Sequence, residues 1–396
     1  MSSKTVKLSK AGFDKKTLRQ LTIEDVKSHN EYLKKCKQQR DEDEINGVTD
    51  DSPKITNKDV YPKYAKSKKY ISDHCFIVNT GDIHVWTGSE FVIYDNRTFK
   101  AVFGNYFVKD LNNWFFKFHD DLYNIVTNTK KPLVYDYNIN TFSGFKHQYV
   151  KYESFKKSTK DKLELFLSYL KEVVCDNNDE HYKFICKWIG NMIKGNKNDT
   201  ALYLRSIQGV GKSVLSNFLK KHVVGGDISI TSGSEPLRTP YNKSLSGKSL
   251  VIFEELPCFS SNEWSGISSK LKEMITGDTM VYSDKFIRGY ESSNINNYIL
   301  NSNNNAIKDD EGRRYFICDI NTKYKGNSEY WDNLHNTCFN DEVGKCAFSY
   351  FYESVEDGWR SQPNMPITQN KLDSIFERLP YPYQFIRDAF VDRDED

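Results

Sequence analysis

An α/β fold with a parallel sheet is predicted by three stretches of this 396-residue chain. Ala201 to Arg205 is a short apolar run that leads, through a glycine-bearing loop, into Val214, Leu215, Phe218 and Leu219 at helical spacing. Leu250 to Phe253 is a continuous apolar run closed by Glu254 and Glu255, and Asn297 to Leu300 is another, ending in Asn301-Ser302-Asn303. Apolar runs that do not alternate with polar residues read as strands buried on both faces, as in a parallel sheet covered by helices.

The loop between the first strand and its helix, Gly209-Val210-Gly211-Lys212-Ser213, matches the phosphate-binding P-loop except that Ser206 stands where the pattern has its first glycine. Glycines let backbone N–H groups turn toward phosphate oxygens, and the helix that follows adds its positive end. In that pattern Lys212 reaches the β- and γ-phosphates and the Ser213 hydroxyl binds Mg²⁺, so Gly209 through Val214 form the expected nucleotide-binding set. Two acids at the tip of a neighbouring strand complete the Walker B arrangement: Glu254 as metal partner, Glu255 as the base that activates water. The amide of Asn303, at the third strand tip, is placed to sense the γ-phosphate. ATP and Mg²⁺ are the cofactors this chemistry requires.

Composition bounds the rest. A net charge of +2 gives no whole-molecule attraction to nucleic acid, so any basic surface must be local. Eight cysteines without a Cys-x-x-Cys pair, and histidines not at zinc spacing, point to reduced thiols in an intracellular protein rather than disulfides or a metal site. The polar, lysine-rich Met1 to Lys16 is no signal peptide, and no apolar run reaches membrane-spanning length. A soluble protein without a membrane partner is expected.

In chain order, residues 1–59 read as a polar tail, helical or disordered, with the acidic run Asp41 to Glu44. Residues 60–155 are rich in aromatics. Phe76 to Val78, Ile83 to Trp86, Phe91 to Tyr94 and Ala101 to Phe103 read as short strands between Gly81, Gly88 and Asp95-Asn96. Residues 156–198 are a helical block, with Leu163, Phe166, Leu167, Leu170 and Val174 on one face and Phe184 to Ile193 on another. Asn196-Lys197-Asn198-Asp199 fits the guanine-reading pattern of GTPases but precedes the P-loop strand, and reads as a solvated loop. Ile228 to Ile230 is a candidate second strand and Ser268 to Ile275 a helix. The segment from Met280 to Asn297 then reads as a basic excursion from the sheet whose Lys285 and Arg288 contact nucleic acid. Arg313 and Arg314, just after Asp309-Asp310-Glu311, are candidates for an arginine finger acting on a neighbouring subunit. Residues 199–322 thus form the ATPase core and 323–396 a helical C-terminal region.

These motifs fall in the order of motifs A, B, B′ and C plus the arginine finger of superfamily 3 helicases. The chain resembles the helicase part of poxvirus-type primase-helicases of large DNA viruses, phages and plasmids. Tyr135-Asp136, Asn140 to Phe145 and Pro366 to Thr368 extend the likeness to roughly Tyr70 through Phe376. The resemblance implies an AAA+-like P-loop ATPase with an N-terminal α+β pre-helicase domain, a helical collar and a C-terminal helical segment. It also implies a hexameric ring, a homo-oligomer that pulls single-stranded or forked DNA through its centre, with Lys285 on the gripping loop. The primase half of that family is not visible in the first 60 residues, which leaves priming to a separate primase or polymerase. Two other machines fit the same motifs: a ring ATPase for genome packaging or protein remodelling, its loop gripping polypeptide through Tyr282, Phe286 and Tyr290, and an ATP-dependent origin-binding initiator.

Overall fold

The computed structural model describes residues 8, 10–46, 63–118, 121–285, 287–304, 306–307, 312–376 and 380–390. The chain divides into two units, one made of Met1–Ile125 with Val134–Ile139, the other of Val126–Leu133 with Asn140–Asp396.

The first unit holds helices α1 (Lys15–Ile45), α2 (Ala65–His74), α3 (Asn96–Phe103) and α4 (Lys109–Asn113). Its strands are β1 (Cys75–Val78), β2 (Ile83–Trp86), β3 (Phe91–Tyr94), β4 (Leu122–Val126), β5 (Val134–Tyr135) and β6 (Asn138–Asn140), in the sheet order β3-β2-β1-β4-β6-β5. A core of Phe99, Phe103, Leu111 and Phe115 packs against Ile71 and Val85. The stretch expected as a polar tail contains α1, and its first half belongs to this core: Leu18 is buried, and the buried Asp25 carboxylate accepts from the Ser67 N–H at 2.9 Å and the Ser67 hydroxyl at 2.7 Å. Those bonds serve the start of α2, where Tyr64 supplies no side-chain cap. Residues 47–59 of that stretch lie outside the described residues. Ala101 to Phe103, read as a strand, is the last turn of α3. Asp95 accepts from the Thr98 N–H at 2.8 Å, and this N-cap starts a helix that puts Phe99 and Phe103 on one face.

The second unit is built on a parallel sheet of β7 (Ala201–Arg205), β8 (Ser229–Ser232), β9 (Leu250–Phe253), β12 (Asn297–Ser302) and β13 (Tyr315–Ile317). Their order is β13-β7-β12-β9-β8, every pair parallel. Between β9 and β12 the chain makes helix α9 (Ser261–Thr276) and an antiparallel hairpin of β10 (Thr279–Asp284) and β11 (Ile287–Ser293). The remaining helices are α5 (Lys157–Tyr169), α6 (Asp179–Ile193), α7 (Lys212–Phe218), α8 (Glu235–Arg238), α10 (Ser328–Cys338), α11 (Asp341–Glu353), α12 (Gln369–Phe376) and α13 (Tyr381–Phe390). Alternation along β7 divides the core. Leu202 and Leu204 join Phe166, Trp188, Phe218 and Phe351 on one face, while Ala201 and Tyr203 join Leu271, Met274 and Tyr298 on the other. Helices α5 and α6 therefore share a core with the sheet.

The Asn196–Asp199 turn is not a solvated loop. Asn198 is buried, its N–H and its amide nitrogen both donate to Asn297 Oδ1 at 2.8 Å, and the amide also reaches the Trp188 carbonyl. Lys197 donates to the carbonyls of Ile275 and Gly277, and burial lowers its pKa to about 8. The turn is a polar clamp that fastens β7 to α6, α9 and β12, because the buried backbone groups at these ends need partners.

Candidate functional site

The C-terminal ends of β7, β9 and β12 open into one cavity of about 280 Å³. Ligands of open α/β sheets bind at such strand ends. Lining it are the loop residues Gln208, Gly209, Val210 and Gly211, then Lys212, Ser213 and Val214, with Glu254, Glu255, Asn301, Ser302 and Asn303 opposite. All the residues singled out at the three strand tips therefore meet, although they are far apart in the chain.

The loop is shaped by two glycines with positive φ, Gly209 at 85° and Gly211 at 88°, where a side chain would be strained. Gly211 has a second constraint: a Cβ there would lie 2.3 Å from the Trp331 ring. The buried Tyr169 hydroxyl donates to the Gly211 carbonyl at 2.9 Å, fixing the loop from below. Lys212 opens α7, which continues to Val224 in wider π turns. Its ammonium donates to the carbonyls of Ser206 at 2.6 Å and Ile207 at 2.9 Å, and to Asn303 Oδ1 at 2.8 Å. The Ser206 hydroxyl lies 3.2 Å away as a further acceptor, so the residue that replaces the pattern's glycine joins the lysine's cradle. Burial lowers the Lys212 pKa, and the Glu254 carboxylate works against that shift.

Glu254 and Glu255 differ in environment. Glu254 is half-buried, and its Oε1 accepts from the Asn301 amide at 2.8 Å and from the Ser216 hydroxyl at 3.4 Å. Glu255 is exposed at the cavity wall and holds the left-handed backbone conformation, φ 52°, which turns the chain sharply after the strand. Asn301 was not among the residues singled out. It is buried, it orients Glu254, and its Oδ1 has no hydrogen-bond partner among the described residues. The sequence signal was the strand tip itself, which carries two amides, Asn301 and Asn303. One holds the acid and the other the lysine.

The remaining residues lie away from this cavity. Lys285 is exposed near the hairpin turn, its Nζ 5.6 Å from the centre of the Tyr241 ring. Arg288 falls in β11 with its side chain outside the described residues, as is the whole of Phe286. Tyr282 and Tyr290, considered for gripping polypeptide, pack inward instead: Tyr282 is fully buried, and the Tyr290 hydroxyl is hydrogen-bonded to Ser246. Arg313 and Arg314 precede β13, beside Ala201 at the start of β7, and so sit at the opposite end of the sheet from the loop. Arg313 is exposed and Arg314 buried. The acidic run Asp309 to Glu311 lies outside the described residues. Among the described residues no helix is long and apolar enough to cross a membrane.

Residues 204–314, from the end of β7 to the paired arginines, match the model of a family of unknown function (DUF5906). A DNA primase-polymerase of Nitratiruptor phage NrS-1 is 25% identical over 189 residues, 47% of this chain and 26% of that protein, so the chain spans about a quarter of that relative's length. The apo A-form structure of the NrS-1 C-terminal region has a TM-score of 0.56 at 18% identity, covering 81% of this chain and 75% of that one. A second apo structure of that region, residues 305–718, gives 0.56 at 17% identity with the same coverage. The mixed α/β architecture with its parallel sheet is thus one this chain shares with the C-terminal region of NrS-1.

Proposed function

We propose that the protein is an ATP-driven DNA helicase of phage or related mobile-element replication, its second unit an AAA+-like P-loop ATPase of the superfamily 3 type. The observation that carries this reading is the convergence of Lys212, Ser213, Glu254, Glu255 and two amides on one cavity at the ends of parallel strands. An ammonium and loop amides suit the β- and γ-phosphates. Ser213 and Glu254, both on the cavity wall, would hold Mg²⁺ beside the phosphates. Glu255, exposed at the wall, is the base for water, and Asn303 passes the state of the γ-phosphate to Lys212. Arg313, exposed where Arg314 is buried, is the better finger for a neighbouring copy.

The nucleic-acid part rests on the hairpin and on the relative. Lys285 stands exposed while Tyr282 and Tyr290 turn into the core, which favours a grip on phosphates over a grip on polypeptide. The similarity to part of a DNA primase-polymerase supports DNA as the strand and a primase or polymerase as a working partner. The test is ATP hydrolysis with and without single-stranded DNA, together with unwinding of a forked duplex. Wild type is expected to hydrolyse ATP faster with single-stranded DNA than with duplex, and Lys212→Ala to lose hydrolysis by at least about a hundredfold at unchanged melting temperature. Hydrolysis by Lys212→Ala at the wild-type rate would end the site assignment, and a DNA-independent rate with no unwinding would end the helicase reading.

A further inference from the structure

A second cavity, of about 350 Å³, adjoins the phosphate-loop cavity and shares Gly209, Gly211 and Val214 with it. Its other side is α10, which presents Trp331 and His335 four residues apart on one helix face, followed by Phe339 at the helix's C-cap. His335 and Phe339 are stacked on each other, ring centres 4.5 Å apart. The indole of Trp331 is held twice. Its Nε1–H donates to the Tyr324 carbonyl at 3.0 Å, and its ring meets that of Tyr169 edge to face at 6.0 Å. Tyr169 is also the residue that fixes the Gly211 carbonyl, so the indole and the loop are positioned by one buried side chain. Among the described residues, Asp332, exposed, is the only carboxylate on the wall.

A pre-positioned aromatic wall next to a phosphate loop has the shape and chemistry of a seat for a flat heteroaromatic ring, which it would hold by its faces. We propose that this cavity binds the purine ring of the nucleotide, with Trp331 as its stacking surface; the assignment rests on the reading of loop 206–213 as the phosphate site. Two fused rings cover more of an indole than one, so purine nucleotides are preferred over pyrimidine nucleotides.

Inorganic tripolyphosphate, which has the phosphates but no base, separates the two sites. In the full chain, Trp331→Ala is expected to raise the KM for ATP about tenfold while tripolyphosphate binds within about twofold of wild type. Trp331→Phe should retain most of the ATP affinity, and UTP should bind wild type severalfold more weakly than ATP or GTP. In wild type, the fluorescence attributable to Trp331, taken by difference from Trp331→Phe, should be quenched by a non-hydrolysable ATP analogue and not by tripolyphosphate. This measurement stands even if the alanine variant does not fold. An unchanged KM for ATP in Trp331→Ala, equal weakening of ATP and tripolyphosphate, UTP as tight as ATP, or a Trp331 signal blind to the base would each overturn the proposal. None of those results removes the phosphate site, though equal weakening would trace Trp331 to support of the loop; failure of the site itself would appear separately as Lys212→Ala binding tripolyphosphate as tightly as wild type does.

Discussion

Glu255 carries a side chain in a backbone region that costs L-residues about 1–2 kcal/mol. Such strain persists where the surroundings over-determine it, here by the Leu256 N–H bonded to the Asn301 carbonyl at 3.1 Å. Removing the carboxylate should therefore separate stability from activity. Glu255→Gly is expected to be about 1 kcal/mol more stable than Glu255→Ala in urea unfolding, while both lose ATP hydrolysis. Equal stability of the two would mean that the left-handed turn is not there. Residue types with fixed chemistry, Lys212, Ser213 and the two acids, were legible in the sequence because their pattern states a geometry. Asn301 was not. β12 is buried along its whole length, so alternation cannot say which of two nearby amides faces the acid. Trp331 was hidden for another reason: it reaches the loop from a helix far downstream, and nothing local to either stretch records that meeting.

At the scale of elements, the polar clamp between β7 and β12 is the most exposed to test. Asn297 Oδ1 receives two donors from Asn198, and both are buried. Asn297→Ala leaves the buried Asn198 N–H without its acceptor and the Asn198 amide with only the Trp188 carbonyl, and should cost about 2 kcal/mol in denaturant unfolding. Asn198→Ala combined with it should cost less than the sum of the two, since they share the same bonds. Close helix contact is equally sharp at Gly344 of α11, where a Cβ would lie 1.9 Å from the His222 carbonyl. Gly344→Ala is expected to destabilise by about 1–3 kcal/mol, and a neutral result would show that α11 can shift away. The strands and helices of the second unit were largely legible because long apolar runs and helical spacing are strong signals. In the first unit the aromatic run at 99–103 was ambiguous, and Asp95 with Thr98 decided for a helix. The Asn196–Asp199 turn misled because its polar composition suggests water, whereas those amides are occupied by buried backbone.

For the molecule as a whole, the position of the arginines makes a ring experiment possible. If Arg313 completes the site of an adjoining copy, Lys212→Ala subunits, which keep the arginine, should rescue Arg313→Ala subunits, which keep the loop. A 1:1 mixture of the two inactive variants should recover about a quarter of wild-type hydrolysis, the share of head-to-tail junctions with both parts intact. No recovery, with mixed assemblies demonstrated, would confine the arginine to its own chain. The division of the chain has its own consequence. Residues 126–133 belong with the second unit although strands of the other unit flank them on both sides. They are fastened there: the Thr129 hydroxyl donates to the Gly195 carbonyl at 2.8 Å, Thr127 is bonded to Thr141 and Ser292, and the Asn140 amide nitrogen donates to the Asn128 carbonyl at 2.7 Å. A truncation beginning at residue 140 would strip out this lacing and leave Gly195, Ser292 and Asn140 facing solvent. The smallest self-sufficient piece of the second unit must begin upstream of residue 126 and carry the short β5–β6 ribbon with it as a passenger.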